Sequence, residues 1–235
     1  MKCKIADLTV EIPTSGGLAS RTWEYLTHNE TAVDFEISED NYRSLCWPNL
    51  SEEDMIYMES GFSFYGNLLR FNGLMLHSSA VALDGKGYLF SGPCGMGKST
   101  HTRLWQSVFG DEAKVFNDDK PALRRLDGKW FAYGTPWCGK DHININMKVP
   151  LAGICFLKQS DENKIRRLTP QEATPLVISQ TMRKFKQVEY LNLMLSHVDK
   201  LVREIPIFEL ENRPEPEAAI LSHETMLKAA IEAGL

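Results

Sequence analysis

The chain has 235 residues, of which 43% are hydrophobic and 24% charged, and its net charge is −5. This composition excludes a disordered, collagen-like or coiled-coil chain and suits one large domain, or one domain with a small extra lobe. The acidic surplus gives no general pull toward nucleic acid or an anionic membrane, so neither is expected as a partner.

Residues 5–12 carry Leu8, Val10 and Ile12 in alternation with Asp7, Thr9 and Glu11, which predicts a half-buried strand. A polar turn at Thr14-Ser15-Gly16-Gly17 and a second short strand at 33–37 follow. Ser51 precedes an acidic first turn, Glu52-Glu53-Asp54, and opens a helix to about Phe71 with Met55, Met58, Phe62 and Tyr65 at helical spacing. The chain changes character near residue 72. That divides it into a small N-terminal α+β lobe, 1–72, and a larger domain, 73–235.

In the larger part, residues 74–83 and 88–91 read as strands around an Asp84-Gly85 turn. A helix is predicted over 98–109, closed by Gly110. Val115-Phe116 leads into Asp118-Asp119, and residues 123–133 form two strands around Asp127-Gly128. Residues 151–157 make a fully buried strand. Thr169 caps a helical pattern with Pro170 at its first position; the pattern reaches about Arg203, with an interruption at 185–188. The basic runs 164–167 and 183–186 read as solvated faces. A last strand at 207–210 and a closing helix at 216–233 complete an α/β or α+β fold with a mixed β core flanked by helices.

Cysteine usage and the N-terminus bear on the compartment. Cys3, Cys46, Cys94, Cys138 and Cys155 are odd in number and form no CxxC pair, so neither a disulfide framework nor structural zinc is expected. The N-terminus meets Asp7 where a signal peptide needs an apolar run, and 151–157 is too short to span a bilayer. A cytoplasmic protein is expected.

The motif that carries chemistry is Gly92-Pro93-Cys94-Gly95-Met96-Gly97-Lys98-Ser99, which fits G-x-x-x-x-G-K-[ST] between a predicted strand and a predicted helix. Glycines let successive backbone N–H groups turn inward around a phosphate, and the positive end of the following helix faces the same anion. Lys98 can reach the β- and γ-phosphates of ATP, and the Ser99 hydroxyl can ligate Mg²⁺. Thr100 adds a second hydroxyl.

Such a cradle needs a metal carboxylate, and a transferase needs a group to orient the attacking atom. Asp118 and Asp119, at the carboxyl end of a short strand, supply both candidates; the competing reading is a solvated turn. His77 ends an apolar run one strand before the loop and either faces the phosphates or sits hydrogen-bonded in the core. Residues 134–142 form a second glycine-containing loop whose Lys140 can approach phosphate or substrate. Cys94 and Cys138 read as small fillers.

Leu76-His77-Ser78-Ser79-Ala80, the glycine-rich loop and Asp118-Asp119 together resemble the bacterial HPr kinase/phosphorylase and the ATP-dependent phosphoenolpyruvate carboxykinases, over roughly residues 73–160. The resemblance implies an HPr kinase/PEP carboxykinase-like P-loop domain. By position it implies that Lys98 contacts the β- and γ-phosphates, Ser99 and Asp119 serve the metal, Asp118 activates the acceptor hydroxyl, and His77 lies near the metal and phosphates. The loop at 134–140 resembles one in small HPr-kinase-related proteins.

The expectation is therefore an ATP-dependent, Mg²⁺-requiring kinase that acts on a hydroxyl, a serine of a peptide or protein or the free amino acid, with homo-oligomerisation open. Two alternatives stand beside it: a carboxykinase-type reaction on a small carboxylic acid, for which Arg124 and Arg125 are the nearby arginines, and a nucleotide-binding accessory module without catalysis.

Overall fold

A computed structural model of the chain describes residues 1–13, 18–28, 31–38, 51–182 and 187–235. The expected turn at 14–17, Cys46 and the basic run 183–186 lie outside the described residues.

Strands β1 (Lys2–Ile5) and β2 (Leu8–Glu11) form an antiparallel hairpin, and β3 (Phe35–Glu36) pairs in parallel with β2. The run 5–12 is thus the turn and second arm of a hairpin, not one strand. Ala6 and Asp7 both take positive φ, 51° and 60°, the geometry of a tight two-residue turn. The alternation holds only in part: Leu8, Val10 and Ile12 are buried and Glu11 is exposed, but Thr9 is buried as well. A one-turn helix, α1 (Ala19–Thr22), follows.

Helix α2 (Glu52–Leu68) starts where its cap dictates: the Ser51 hydroxyl accepts from the Asp54 N–H at 3.1 Å. Its buried stripe is Ile56, Ser60, Phe64 and Leu68. The expected stripe holds at Tyr65, which is buried, but is otherwise rotated: Phe62 is exposed and Met55 and Met58 are half-buried.

Among the described residues, nine strands form one mixed sheet. Its hinge is β10 (Lys148–Gln159), more extensive than the expected 151–157. The first residues of β10 pair antiparallel with β9 (Lys129–Tyr133), which continues to β8 (Ala122–Leu126) and β4 (Gly73–Met75). Its later residues run parallel between β6 (Lys86–Ser91) and β12 (Ile207–Asn212). Beyond β6 come β5 (Ser78–Leu83) and β7 (Lys114–Asp119), and beyond β12 comes β11 (Lys164–Arg167). The basic run 164–167 is therefore an exposed edge strand, where Arg166 pairs with Glu172 and Glu209. The run 74–83 is two strands, β4 and β5, separated at Leu76 and His77, which belong to different wings of the sheet.

Helix α3 (Lys98–Phe109) ends at Gly110 as expected. Helix α4 (Pro170–Gln180) opens with a full capping box, Thr169 and Glu172 bonding each other's backbone, and α5 (Val188–Glu204) is a separate helix. Helix α6 (Pro216–Glu232) closes the chain. Trp105 of α3 is fully buried between Tyr88, Phe90 and His223, and its Nε1 donates to Ser222 Oγ at 3.1 Å. Truncating it to alanine removes about 3–5 kcal/mol by the usual cost for a core aromatic. No helix among the described residues is long and apolar enough to cross a membrane.

Candidate functional site

Strand direction brings the candidate residues together. β5 runs antiparallel between β6 and β7, with Ser78 opposite both Ser91 and Asp119, and Ser79 opposite Asp118. The first residues of β5 therefore meet the last residues of its two neighbours on one edge of the sheet. The glycine-rich loop leaves from the end of β6, the aspartate pair closes β7, and His77 precedes β5 between them. Two buried hydroxyls tie α3 to this edge, Ser79 Oγ and Thr102 Oγ1 at 2.8 Å.

The loop has the strand and helix on either side that its motif requires. Gly95 and Gly97 adopt φ of 79° and 93°, which a side chain would resist. Lys98 Nζ donates to the carbonyls of Gly92 and Pro93 at 2.9 and 3.1 Å. Burial lowers the Lys98 pKa, and the carboxylates of Asp119 and Asp118 act against that shift.

The two aspartates have different surroundings. The Ser99 hydroxyl lies 3.0 and 2.9 Å from the two oxygens of Asp118. The Asp118 backbone is clamped, its N–H donating to Ile143 O at 3.1 Å and its carbonyl accepting from the Gly139 N–H at 2.6 Å. Asp119 Oδ1 instead faces His77 Nε2 at 2.8 Å, and its other oxygen meets Lys120 Nζ. Burial, the largest influence, pushes the Asp119 carboxyl up, but the His77 bond and Lys120 together outweigh it and hold the acid at about 2. Asp119 also takes φ of 102°, a conformation costly for a non-glycine residue that persists only where its surroundings enforce it.

The second loop, 134–142, lies against the end of β7. Gly134 is obligatory there, since a Cβ would stand 1.9 Å from Ile145 O and 2.9 Å from Phe116 O. Residues from 1–72 hold the loop from outside. Tyr57 OH and Arg21 Nη1 both donate to the Cys138 carbonyl, the latter at 3.1 Å, and the Arg21 guanidinium lies 4.4 Å from the centre of the Tyr57 ring. Tyr65 OH reaches the Lys120 carbonyl and Thr135 Oγ1.

His77, Cys94, Gly95, Gly97, Lys98, Ser99, Thr100, Asp118, Asp119 and Lys140 thus line one cleft of about 560 Å³. Gly92 and Met96 do not line it; the Met96 side chain folds over Gly92 and packs toward the core. Cys94 is exposed in the loop, whereas Cys138 is buried with its thiol pKa raised by burial, so Cys138 is a poor nucleophile. Arg124 and Arg125 are committed elsewhere: Arg124 bonds the Phe71 and Ala6 carbonyls, and Arg125 pairs with Glu204. Sequence reasoning missed Lys120, Arg21, Tyr57 and Gln180, whose carbonyl accepts from the His77 N–H at 2.8 Å. Only Lys120 had a local signal, its place directly after the aspartate pair.

The family model described as SynChlorMet cassette protein ScmC matches residues 45–213, well over half of the chain. The chain belongs to that family. The ScmC match takes in α2 together with both loops and the aspartate pair. A search of curated proteins finds no match. Among solved structures, the Hpr(Ser) kinase/phosphatase from Coxiella burnetii is similar at 11% identity, covering 68% of this chain and 96% of that one, with a TM-score of 0.35. At that score the likeness settles neither the fold nor the activity of this ScmC-family chain.

Proposed function

We propose that the cleft transfers the γ-phosphoryl group of ATP to a hydroxyl acceptor, a serine of a peptide or protein or the free amino acid. The observation that carries this reading is the contact of Ser99 with both oxygens of Asp118, at the foot of a glycine-rich loop and the N-terminus of α3. Loop amides and a helix N-terminus suit phosphate, and Lys98 supplies the adjacent positive charge.

The donor set fits Mg²⁺. A hydroxyl and a carboxylate are hard oxygen ligands, and magnesium takes one or two carboxylates with phosphate oxygens completing its shell. Ser99 and Asp118 would hold the ion, and when bound it would offset charge on the phosphate oxygens.

This reading exchanges the two aspartate roles that the resemblance implies. Asp118 sits with Ser99 and takes the metal side, and Asp119 takes the acceptor side. As the acceptor oxygen bonds to the γ-phosphorus, the bond from phosphorus to the bridging oxygen breaks, ADP departs, and the hydroxyl proton passes to Asp119. A carboxylate held at about 2 is a weak base, so its main service is orientation, with the proton leaving late in a loose transition state. His77 and Lys120 fix its direction.

The carboxykinase alternative needs arginines around the aspartate pair, and Arg124 and Arg125 are bonded elsewhere. The test is incubation with γ-labelled ATP, Mg²⁺ and a lysate of the protein's own source, with Asp118→Asn and Asp119→Asn as controls. A labelled species that requires both carboxylates is the expected result. ATP binding with no labelled acceptor would overturn the kinase reading in favour of a nucleotide-sensing module.

A further inference from the structure

An apolar cavity of about 470 Å³ opens beside the aspartate pair, under α2. Its walls are Tyr57, Met58, Phe62, Met75, Trp137 and Met182. A neighbouring space of about 380 Å³ shares Phe62, Met75, Lys120 and Met182 with it and is bordered at its other end by His77 and Asp119. These two residues also line the phosphate-side cleft. The glycine-rich cleft, the space beside Asp119 and the aromatic and methionine-rich pocket therefore adjoin in that order, each sharing lining residues with the next.

The pocket is built rather than incidental. Trp137 is fully buried, stacks on Phe64 with ring centres 4.7 Å apart, and donates from Nε1 to Ser60 Oγ at 3.1 Å. Gly61 lets α2 lie against that indole, since a Cβ there would come within 2.9 Å of the ring. Lys120 stands at the junction, its ammonium on Asp119 and 5.7 Å from the centre of the Tyr57 ring. Three methionines beside the Tyr57 and Phe62 rings, backed by the buried Trp137, suit a planar or branched apolar group, because thioether chains adapt to its shape. Pockets of this size that are mainly apolar with a few polar groups at one end are the usual form of a ligand site.

We infer that this pocket is the acceptor subsite, and that it takes a large apolar side chain next to the hydroxyl being phosphorylated. The inference rests on the proposed kinase reading and narrows it. A free serine would leave the pocket unfilled, whereas a peptide whose serine is flanked by an aromatic or branched residue would fill it while its hydroxyl stays at Asp119.

Two measurements separate the pocket from the kinase reading. The first needs no catalysis. With ¹³C-methyl-labelled methionine, N-acetyl-phenylalaninamide should shift the resonances of Met58, Met75 and Met182 and leave Met226, buried on the inner face of α6, unmoved. Met58→Trp, which fills the pocket at a half-buried position, should abolish the shifts of Met75 and Met182. Absence of the shifts, or their persistence in Met58→Trp, would overturn the pocket. The second uses γ-labelled ATP and two peptides, Gly-Gly-Ser-Phe-Gly-Gly and the same with glycine for phenylalanine. A preference of at least about tenfold in kcat/KM for the first is expected, falling to near parity in Phe62→Ala. Equal transfer to both would overturn the subsite while leaving the kinase reading intact. Methyl shifts with no transfer to either peptide, beside a labelled acceptor in the lysate assay, would overturn the acceptor assignment and leave the kinase reading intact; no label in either assay would overturn both.

Discussion

His77 Nε2 lies 2.8 Å from Asp119 Oδ1, although the two residues stand at the start of β5 and the end of β7. The contact follows from strand register: Ser78 pairs with Asp119, so the residue before Ser78 reaches the same carboxylate. With Lys120 on the other oxygen, Asp119 is fixed in direction and charge.

That pairing has a pH signature. The Asp119 carboxyl is held at about 2, below the unfolded value of about 4. A depressed acid favours the folded state fully above the unfolded pKa and loses that contribution as pH falls through the folded one. The difference corresponds to about 2 kcal/mol. Urea denaturation of the wild type should show a loss of that order between about pH 5 and pH 2, and Asp119→Asn should lack it. Parallel curves for the two proteins would show that Asp119 is not held in this way.

Lys98→Ala should weaken nucleotide binding by at least about tenfold, the loss of one charge-assisted phosphate contact. Its ammonium bonds only loop carbonyls in the structure, so thermal stability should change little. Calorimetric titration with ATP and Mg²⁺, beside a melting curve, checks both halves.

Gly134→Ala tests the second loop. The added methyl would overlap Ile145 O and Phe116 O, so the backbone there must move, at a cost of about 3 kcal/mol. Equilibrium denaturation reads the stability, and transfer activity should fall with it because Lys140 rides on the same loop.

Arg21→Ala should loosen that loop without unfolding the chain. It removes one of two side-chain donors to the Cys138 carbonyl, worth about 1 kcal/mol, while Tyr57 retains its bond. Faster amide exchange confined to 134–142 is expected. Unchanged exchange would show that the N-terminal residues do not hold the loop.

Much of this architecture was legible because the signals are local. The glycine-rich loop, the helix closed by Gly110, the Ser51 and Thr169 caps and the Asp127-Gly128 turn each depend on residues a few positions apart. The Ala6-Asp7 turn was not legible, because alanine seldom takes positive φ and no glycine marks the pair, unlike Asp84-Gly85 and Asp127-Gly128. The break at Leu76 and His77 was hidden inside a continuous apolar run, which carries no periodic mark where a chain passes from one wing of a sheet to another. The candidate residues of the cleft were named from the motif and its surroundings. The resemblance gives Asp118 the acceptor side and Asp119 the metal side; that Asp118 meets Ser99 while Asp119 meets His77 depends on long-range partners that leave no trace in spacing. Arg21 to Cys138 and Tyr65 to Lys120 are likewise contacts between distant positions, with no trace in spacing.

The division of labour proposed for the aspartates is tested most directly by the Mg²⁺ dependence of ATP binding and transfer in the wild type, Asp118→Asn and Asp119→Asn. Asp118→Asn should need at least about tenfold more Mg²⁺ for half-maximal nucleotide binding. Asp119→Asn should bind Mg²⁺ and ATP as the wild type does and lose phosphoryl transfer to its acceptor by at least about a hundredfold. The reverse pattern, with the Mg²⁺ requirement raised in Asp119→Asn and binding unaltered in Asp118→Asn, would contradict the assignment.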